Sequence, residues 1–239
     1  MVEAGTPEVH PRKSLRERVP DDLAYLAPMA AFLIFTWLGA QWRKELPWTY
    51  PASYVVKVVL TAALLVWLWP KYTKIRWNGW WLGIIVGVIG IFQWVGMQLW
   101  LQKHLEFFRP GEDVFDPLKM YPTAGAFWSF AAVRMIGAVL VVPVMEELFW
   151  RDFLWRQILA PNDFKLAAVG EWGLAPFLIV CGAFATVHGN WWLTAIVWGA
   201  MVGGLLVYTK SLGACIVAHA TTNLLLALYV LRTHDWAFW

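Results

Sequence analysis

The residues of this chain best suited to chemistry are ionisable groups embedded in apolar surroundings. Glu146, Glu147 and Arg151 follow Pro143 in the run Val144-Met145-Glu146-Glu147-Leu148-Phe149-Trp150-Arg151. Read as a helix, the run sets Glu147 and Arg151 four apart with the acid N-terminal, the favoured direction for an ion pair on one face. Arg151 then neutralises Glu147 and holds it. Glu146 lies about 100° further round the helix and is left free to face another environment. A carboxylate in an apolar cavity has its pKa pushed upward, which suits a general base working near neutral pH.

Two histidines lie on separate apolar runs further along. His188 follows Phe184 by four residues, so that Phe184 can pack against the imidazole. His219 and Asn223 are also four apart and share a helix face with Ala218, Ala220, Thr221 and Thr222 around them. Small residues there, and Gly199, Gly203 and Gly204 on the preceding run, let helices approach closely. A shared interior site fed by three helices is reasonable on this spacing. Each group alone also has a plainer reading: a solvated acidic patch, an interfacial histidine, or interhelical hydrogen bonding. Six polar groups on three neighbouring runs weigh against those readings. Lys57 and Arg134 lie outside the constellation, and each is expected to snorkel to an interface or to pair with a carboxylate.

These groups need elements to hold them, and composition says which. Of 239 residues 60% are apolar and 15% charged, with a mean hydropathy of +0.54; soluble domains run at roughly 45–50% and about 25%. So little charge cannot cover a water-facing surface. Intrinsic disorder, a nucleic-acid domain with a basic face and a small disulfide scaffold are excluded. Nineteen tryptophans fit the two headgroup interfaces of a bilayer. Cys181 and Cys215 lie inside apolar runs and offer neither a disulfide framework nor a metal pair.

The fold expected is an all-α, polytopic transmembrane bundle of about seven or eight spans. Apolar stretches near 23–42, 53–70, 80–101, 124–145, 172–190, 191–209 and 212–231 approach the ~20 residues a crossing needs. Only Gly189, Asn190 and the Trp191–Trp192 pair separate the fifth from the sixth. The stretch 103–122 reads as an interfacial helix end followed by a loop, and 146–171 continues the fourth helix before looping. Residues 1–22 read as a polar cytoplasmic tail, with a helix start after Pro20 and no cleaved signal; 23–123 as N-terminal spans with an interfacial loop; 124–231 as the core carrying the constellation; 232–239 as a short C-terminal tail. Setting aside Lys57 and Arg134, 11 Lys and Arg fall on the side of the N-terminus and 6 on the other. The positive-inside rule then puts the N-terminus in the cytoplasm.

Glu146-Glu147-x-x-x-Arg151, Phe184-x-x-x-His188 and His219-x-x-x-Asn223, in this order on consecutive apolar runs, resemble the three motifs of the CAAX prenyl endopeptidase and bacteriocin-processing family of intramembrane proteases. The resemblance covers roughly residues 124–231; 1–123 carry none of its motifs. It implies that Glu146 activates the attacking water with His188 holding that water, that Arg151 braces Glu147, and that His219 and Asn223 stabilise the oxyanion. It also implies a peptide or protein substrate, lipidated or sorting-tail in kind, cleaved near its C-terminus, and membrane lipids as surroundings. A bacterial CAAX-protease-related branch is part of the comparison and implies the bacterial inner membrane.

Members of the family have been described both as glutamate proteases and as metalloproteases. Glu146, His188 and His219 would be the ligands of a zinc ion with water in the fourth place. The His-Glu-x-x-His arrangement is absent and Asn223 suits an oxyanion better than zinc, so no cofactor is favoured and zinc is the alternative. Two other classes compete. A proton-coupled transporter would need inverted repeats, and 1–123 hold no matching motifs; a non-catalytic peptide- or lipid-binding protein of the same fold would keep the pocket without the chemistry.

Overall fold

The computed structural model describes residues 14–42, 45–111 and 114–239. Arg12, Lys13, Arg43 and Lys44, used above for orientation, and Glu112 and Asp113 of the interfacial loop lie outside the described residues. Among those described, all regular structure is helical. Helix α1, Asp21–Gln41, starts directly after Pro20 with Asp21 and Asp22 in its first turn, where the helix dipole favours acids. It is followed by α2 (Thr49–Leu68), α3 (Trp80–His104), α4 (Ala124–Leu159), α5 (Leu174–Thr186), α6 (Trp192–Thr209) and α7 (Leu212–Thr233). All but α5 are long and apolar enough to cross a membrane. Their outward faces carry exposed Trp, Leu, Ile and Val such as Trp37, Val66, Ile89 and Leu140. Outward apolar faces around a polar interior are what a bilayer solvent selects, and the chain is an integral membrane protein.

Three features position the interior. First, α4 is one continuous helix of 36 residues, so the fourth run does continue through the charged stretch. It holds two π-helical segments, Gly137–Val141 and Leu148–Leu154. Pro143 explains a consequence of the first. In the π register the Val142 amide donates to Gly137, and Pro143 has no N–H to offer the carbonyl of Ala138. Asn223 supplies the missing donor from α7, its Nδ2 lying 2.7 Å from that carbonyl.

Second, α5 has 13 residues, a rise of about 20 Å against a hydrocarbon core of roughly 30 Å. The run at 172–190, counted as a span, is therefore a shorter helix of about two-thirds of that thickness. Its end turns through Gly189–Trp191, with Gly189 at φ +52° where an L side chain is strained. The break anticipated at Gly189-Asn190 is present as an exposed corner, flanked by neighbouring loops: Phe108 packs on Trp192 and Phe238 on Trp191.

Third, α3 lies against α7 through a stripe of glycines. A Cβ on Gly87 would stand 2.6 Å from the Ala218 carbonyl, and one on Gly90 2.8 Å from Thr222 Oγ1. The Thr222 hydroxyl meets the Gly87 carbonyl at 3.0 Å. Of the glycines expected to admit a helix near His219, Gly199 and Gly203 instead face α5, against Phe184 and Phe177, and Gly204 faces open space. Gln98 ties α3 to α6 by accepting from the Thr194 hydroxyl at 2.8 Å.

Lys57 and Arg134 do not pair with carboxylates among the described residues. Lys57 is buried, donates to Thr36 Oγ1 at 2.9 Å and lies over the rings of Phe32 and Tyr54; Arg134 donates to the Tyr50 hydroxyl at 2.6 Å. Aromatic faces take the place of the expected anion.

The glycine stripe yields a test. Gly87→Val should lower the melting temperature in detergent by overpacking the α3–α7 contact, a cost of about 1–3 kcal/mol. Gly96→Ala, where a Cβ meets nothing within 4 Å, should leave it unchanged or raise it. Equal effects would contradict the packing described.

Candidate active site

Glu147 is the most constrained group in the interior. It is wholly buried, at 0% exposure, and its Oε1 accepts from Arg151 Nη1 at 3.2 Å and lies 2.8 Å from His219 Nδ1. A buried carboxylate without partners would cost several kcal/mol; here one partner comes from its own helix, one turn on, and the other from α7. Arg151 is itself buried at 1%. Its guanidinium lies over Phe184 at 4.9 Å and Trp198 at 5.6 Å from the ring centres. Phe184 and Trp198 stack on each other at 5.5 Å and form a wall behind which the ion pair sits.

On the other side of that wall is a cavity of about 120 Å³. Glu146, His188, His219 and Asn223 all line it, with Trp94, Phe184, Trp198 and Thr222. The structure thus brings the four expected residues to one space, on α4, at the end of α5 and on α7. Glu146 is buried at 8%, and its Oε2 has no hydrogen-bond partner. The adjacent glutamates face different environments, as their helical offset of about 100° allows. The cavity is large enough for several waters, each needing about 10–15 Å³ by this measure.

The histidines present defined faces. His188 Nδ1 lies 2.7 Å from the Phe184 carbonyl; a carbonyl only accepts, so Nδ1 carries the hydrogen and Nε2 is the nitrogen left for a ligand. The expected packing of Phe184 on this ring is present at 4.3 Å between centres, and Trp94 meets it edge-on at 5.6 Å. His219 gives Nδ1 to Glu147 and likewise retains Nε2, with Trp198 edge-on at 4.7 Å. Asn223 spends one amide hydrogen on Ala138 and keeps the second.

The set a zinc ion would use, Glu146, His188 and His219, shares the cavity. Among the described residues, however, no three His, Cys, Asp or Glu side chains are grouped so as to hold a metal ion. Glu146, His188 and His219 remain the residues that would hold a zinc ion, which would supply a polarised water there, and no step below runs through a metal.

Sequence reasoning missed two things. Trp94 completes the cavity, yet α3 carries no recognisable motif. The Glu147–His219 contact joins residues 72 apart, and no spacing rule announces it. A second buried pair, Asp152 with Arg156, sits one turn beyond. There Tyr25 of α1 donates to Asp152 Oδ2 at 2.8 Å and Arg156 Nε donates to the Ala167 carbonyl at 2.8 Å. This pair faces away from the cavity and anchors α1 and the 160–171 loop to α4.

Arg151→Ala leaves Glu147 buried with one partner fewer, a loss of about 3–5 kcal/mol. The variant should express poorly or melt well below wild type in detergent. A normally folded Arg151→Ala protein would show that the pair is solvated.

Residues 127–225 match the family model described as Rce1-like, type II CAAX prenyl endopeptidase. The stretch runs from early α4 to just past Asn223 and so contains every residue of the cavity except Trp94 and Leu226. No curated protein and no solved structure matches the chain. The three motifs thus converge on one buried cavity, and all of them lie inside the stretch that is similar to the CAAX prenyl endopeptidase family model.

Proposed function

We propose that this protein is an intramembrane endopeptidase in which Glu146 activates water against a peptide bond near the C-terminus of a membrane-associated substrate. The match of residues 127–225 to the Rce1-like family model supports CAAX-type proteolysis in general. The observation that carries the residue assignment is the contrast between the two glutamates. Glu147 is held through Oε1 by both Arg151 and His219, with its Oε2 turned away unpartnered, whereas Glu146 alone of the two lines the cavity shared with two imidazoles, its Oε2 without a partner.

The steps balance as follows. A water held by Glu146 and His188 Nε2 gives a proton to the Glu146 carboxylate as its oxygen bonds to the scissile carbonyl carbon. The carbonyl oxygen becomes an oxyanion facing His219 and the second amide hydrogen of Asn223. For His219 this role requires hydrogens on both ring nitrogens, and the Glu147 carboxylate at 2.8 Å is the counter-charge to that form. The tetrahedral intermediate collapses by breaking the C–N bond, and the proton on Glu146 passes to the leaving amine. Each oxyanion donor is worth about 2.7–4 kcal/mol by analogy with other acyl-transfer sites.

In this reading 124–231 form the catalytic unit, and α3, from the N-terminal spans, closes it with Trp94. The apolar outer faces meet lipid, which suits a substrate that arrives in or on the bilayer, lipidated or not. We keep the cytoplasmic placement of the N-terminus as part of the proposal on the charge count alone.

The test is cleavage by the purified full chain of a peptide bearing a prenylated cysteine followed by three aliphatic residues, followed by mass spectrometry. The expected result is release of a C-terminal fragment that persists in excess chelator and falls by about 10²–10⁴ in Glu146→Gln. Undiminished activity of that variant would overturn the assignment, and loss of wild-type activity on chelation would replace the metal-free mechanism.

A further inference from the structure

Arg134 and Lys57 form a cationic cluster that the mechanism does not use. Both lie against one ring: Lys57 Nζ is 4.5 Å and the Arg134 guanidinium carbon 4.7 Å from the centre of Tyr54. Trp239 adds a further face to Arg134 at 5.1 Å. Two cations this close repel each other in a low-dielectric interior, and an anion would ordinarily stand with them. Among the described residues no carboxylate pairs with either. Lys57 is satisfied by Thr36, but Arg134 keeps a buried Nε without a partner. A buried donor left open on a charged group needs an explanation, and a ligand is one.

The position of Arg134 indicates which ligand. It lines a small cavity of about 110 Å³ with Tyr54, Ala138, Asn223 and Trp239. Asn223 and Leu226 belong both to this cavity and to the one that holds Glu146. Asn223 is therefore the partition between the two. Trp239 in turn borders a vestibule of about 440 Å³ that reaches His188. Arg134 and Glu146 are twelve residues apart on α4, about 18 Å of helix rise. That equals about five extended residues at ~3.3–3.6 Å each, and fewer once both side chains lean inward.

We propose that Arg134 binds the C-terminal α-carboxylate of the peptide whose bond lies at Glu146, so that the enzyme measures its cleavage position from the chain end. The proposal rests on the endopeptidase reading for its substrate class. A guanidinium matches a carboxylate through two parallel N–H donors, and Nε is one of the pair used in a side-on contact. Nη1 is held by Tyr50, which fixes the plane of the group before the ligand arrives. Lys57, behind Tyr54, adds field without contact.

The experiment separates binding from cleavage. Two probes are made, a prenylated-cysteine peptide with three further aliphatic residues ending in a free carboxylate, and the same peptide ending in an amide. Their affinities are measured by tryptophan fluorescence on the detergent-solubilised full chain carrying Glu146→Gln, which prevents turnover. The acid should bind at least about tenfold more tightly than the amide, the scale of one hydrogen-bonded charge contact. Adding Arg134→Gln should abolish the preference by weakening only the acid; Arg134→Lys should keep part of it, and Tyr50→Phe should keep most of it. Equal binding of the two probes with Arg134 intact, no binding of either, or an acid preference that survives Arg134→Gln overturns the proposal. A preference that depends on Arg134 in a protein whose wild type cleaves neither probe would uphold it while overturning the endopeptidase reading alone.

Discussion

A fully buried carboxylate in a membrane-embedded interior is tolerable only if something of opposite charge is built around it, and Glu147 sets that demand. The answer fixes much else. Arg151 must lie one turn away on the same helix, so α4 has to continue through a charged stretch that would otherwise break out to an interface. His219 must come from α7 at 2.8 Å, so α7 has to cross beside α4 at that depth. Phe184 and Trp198 must cover the guanidinium, so the short α5 and α6 are drawn against the same point. The stripe Gly83, Gly87 and Gly90 then lets α3 close the remaining side.

The same demand explains how adjacent glutamates differ. The helical turn that commits Glu147 to the ion pair directs Glu146 past the aromatic wall into the cavity, which it shares with two imidazoles, Thr222 and Asn223. The π segments on either side matter to this geometry. One displaces the Ala138 carbonyl, which Pro143 cannot satisfy, and Asn223 is recruited to it. Asn223 is thus tied to α4 by one hydrogen and keeps one for the cavity. The short helix α5 does a further job: by ending early it brings His188 to the cavity from a corner and leaves a vestibule beside it.

Much of this was legible in the residues. Local rules carried the ion pair of Glu147 and Arg151, the separate environment of Glu146, the packing of Phe184 on His188 and the helix start after Pro20, because each depends on neighbours within a turn. The membrane class followed from charge scarcity alone. What stayed hidden depended on contacts between distant segments. No spacing shows that His219 meets Glu147, that Trp94 of a motif-free helix walls the cavity, or that Gly199 faces α5. The length of α5 was misread because apolarity runs on through Val187 to the Trp pair while the backbone turns at Gly189. Lys57 and Arg134 were expected to snorkel to an interface or to pair with carboxylates, and the packed structure shows aromatic rings against both.

The central claim is the division of labour between the two glutamates, and its most direct test is thermal. Glu146→Gln and Glu147→Gln are isosteric, adjacent and equal in charge removed. Melting both in detergent beside wild type should show Glu146→Gln at or above the wild-type temperature, since a free buried carboxylate is costly to keep. Glu147→Gln should fall clearly below it, since the change leaves Arg151 without its counter-charge. The reverse order, or equal shifts, would contradict the account.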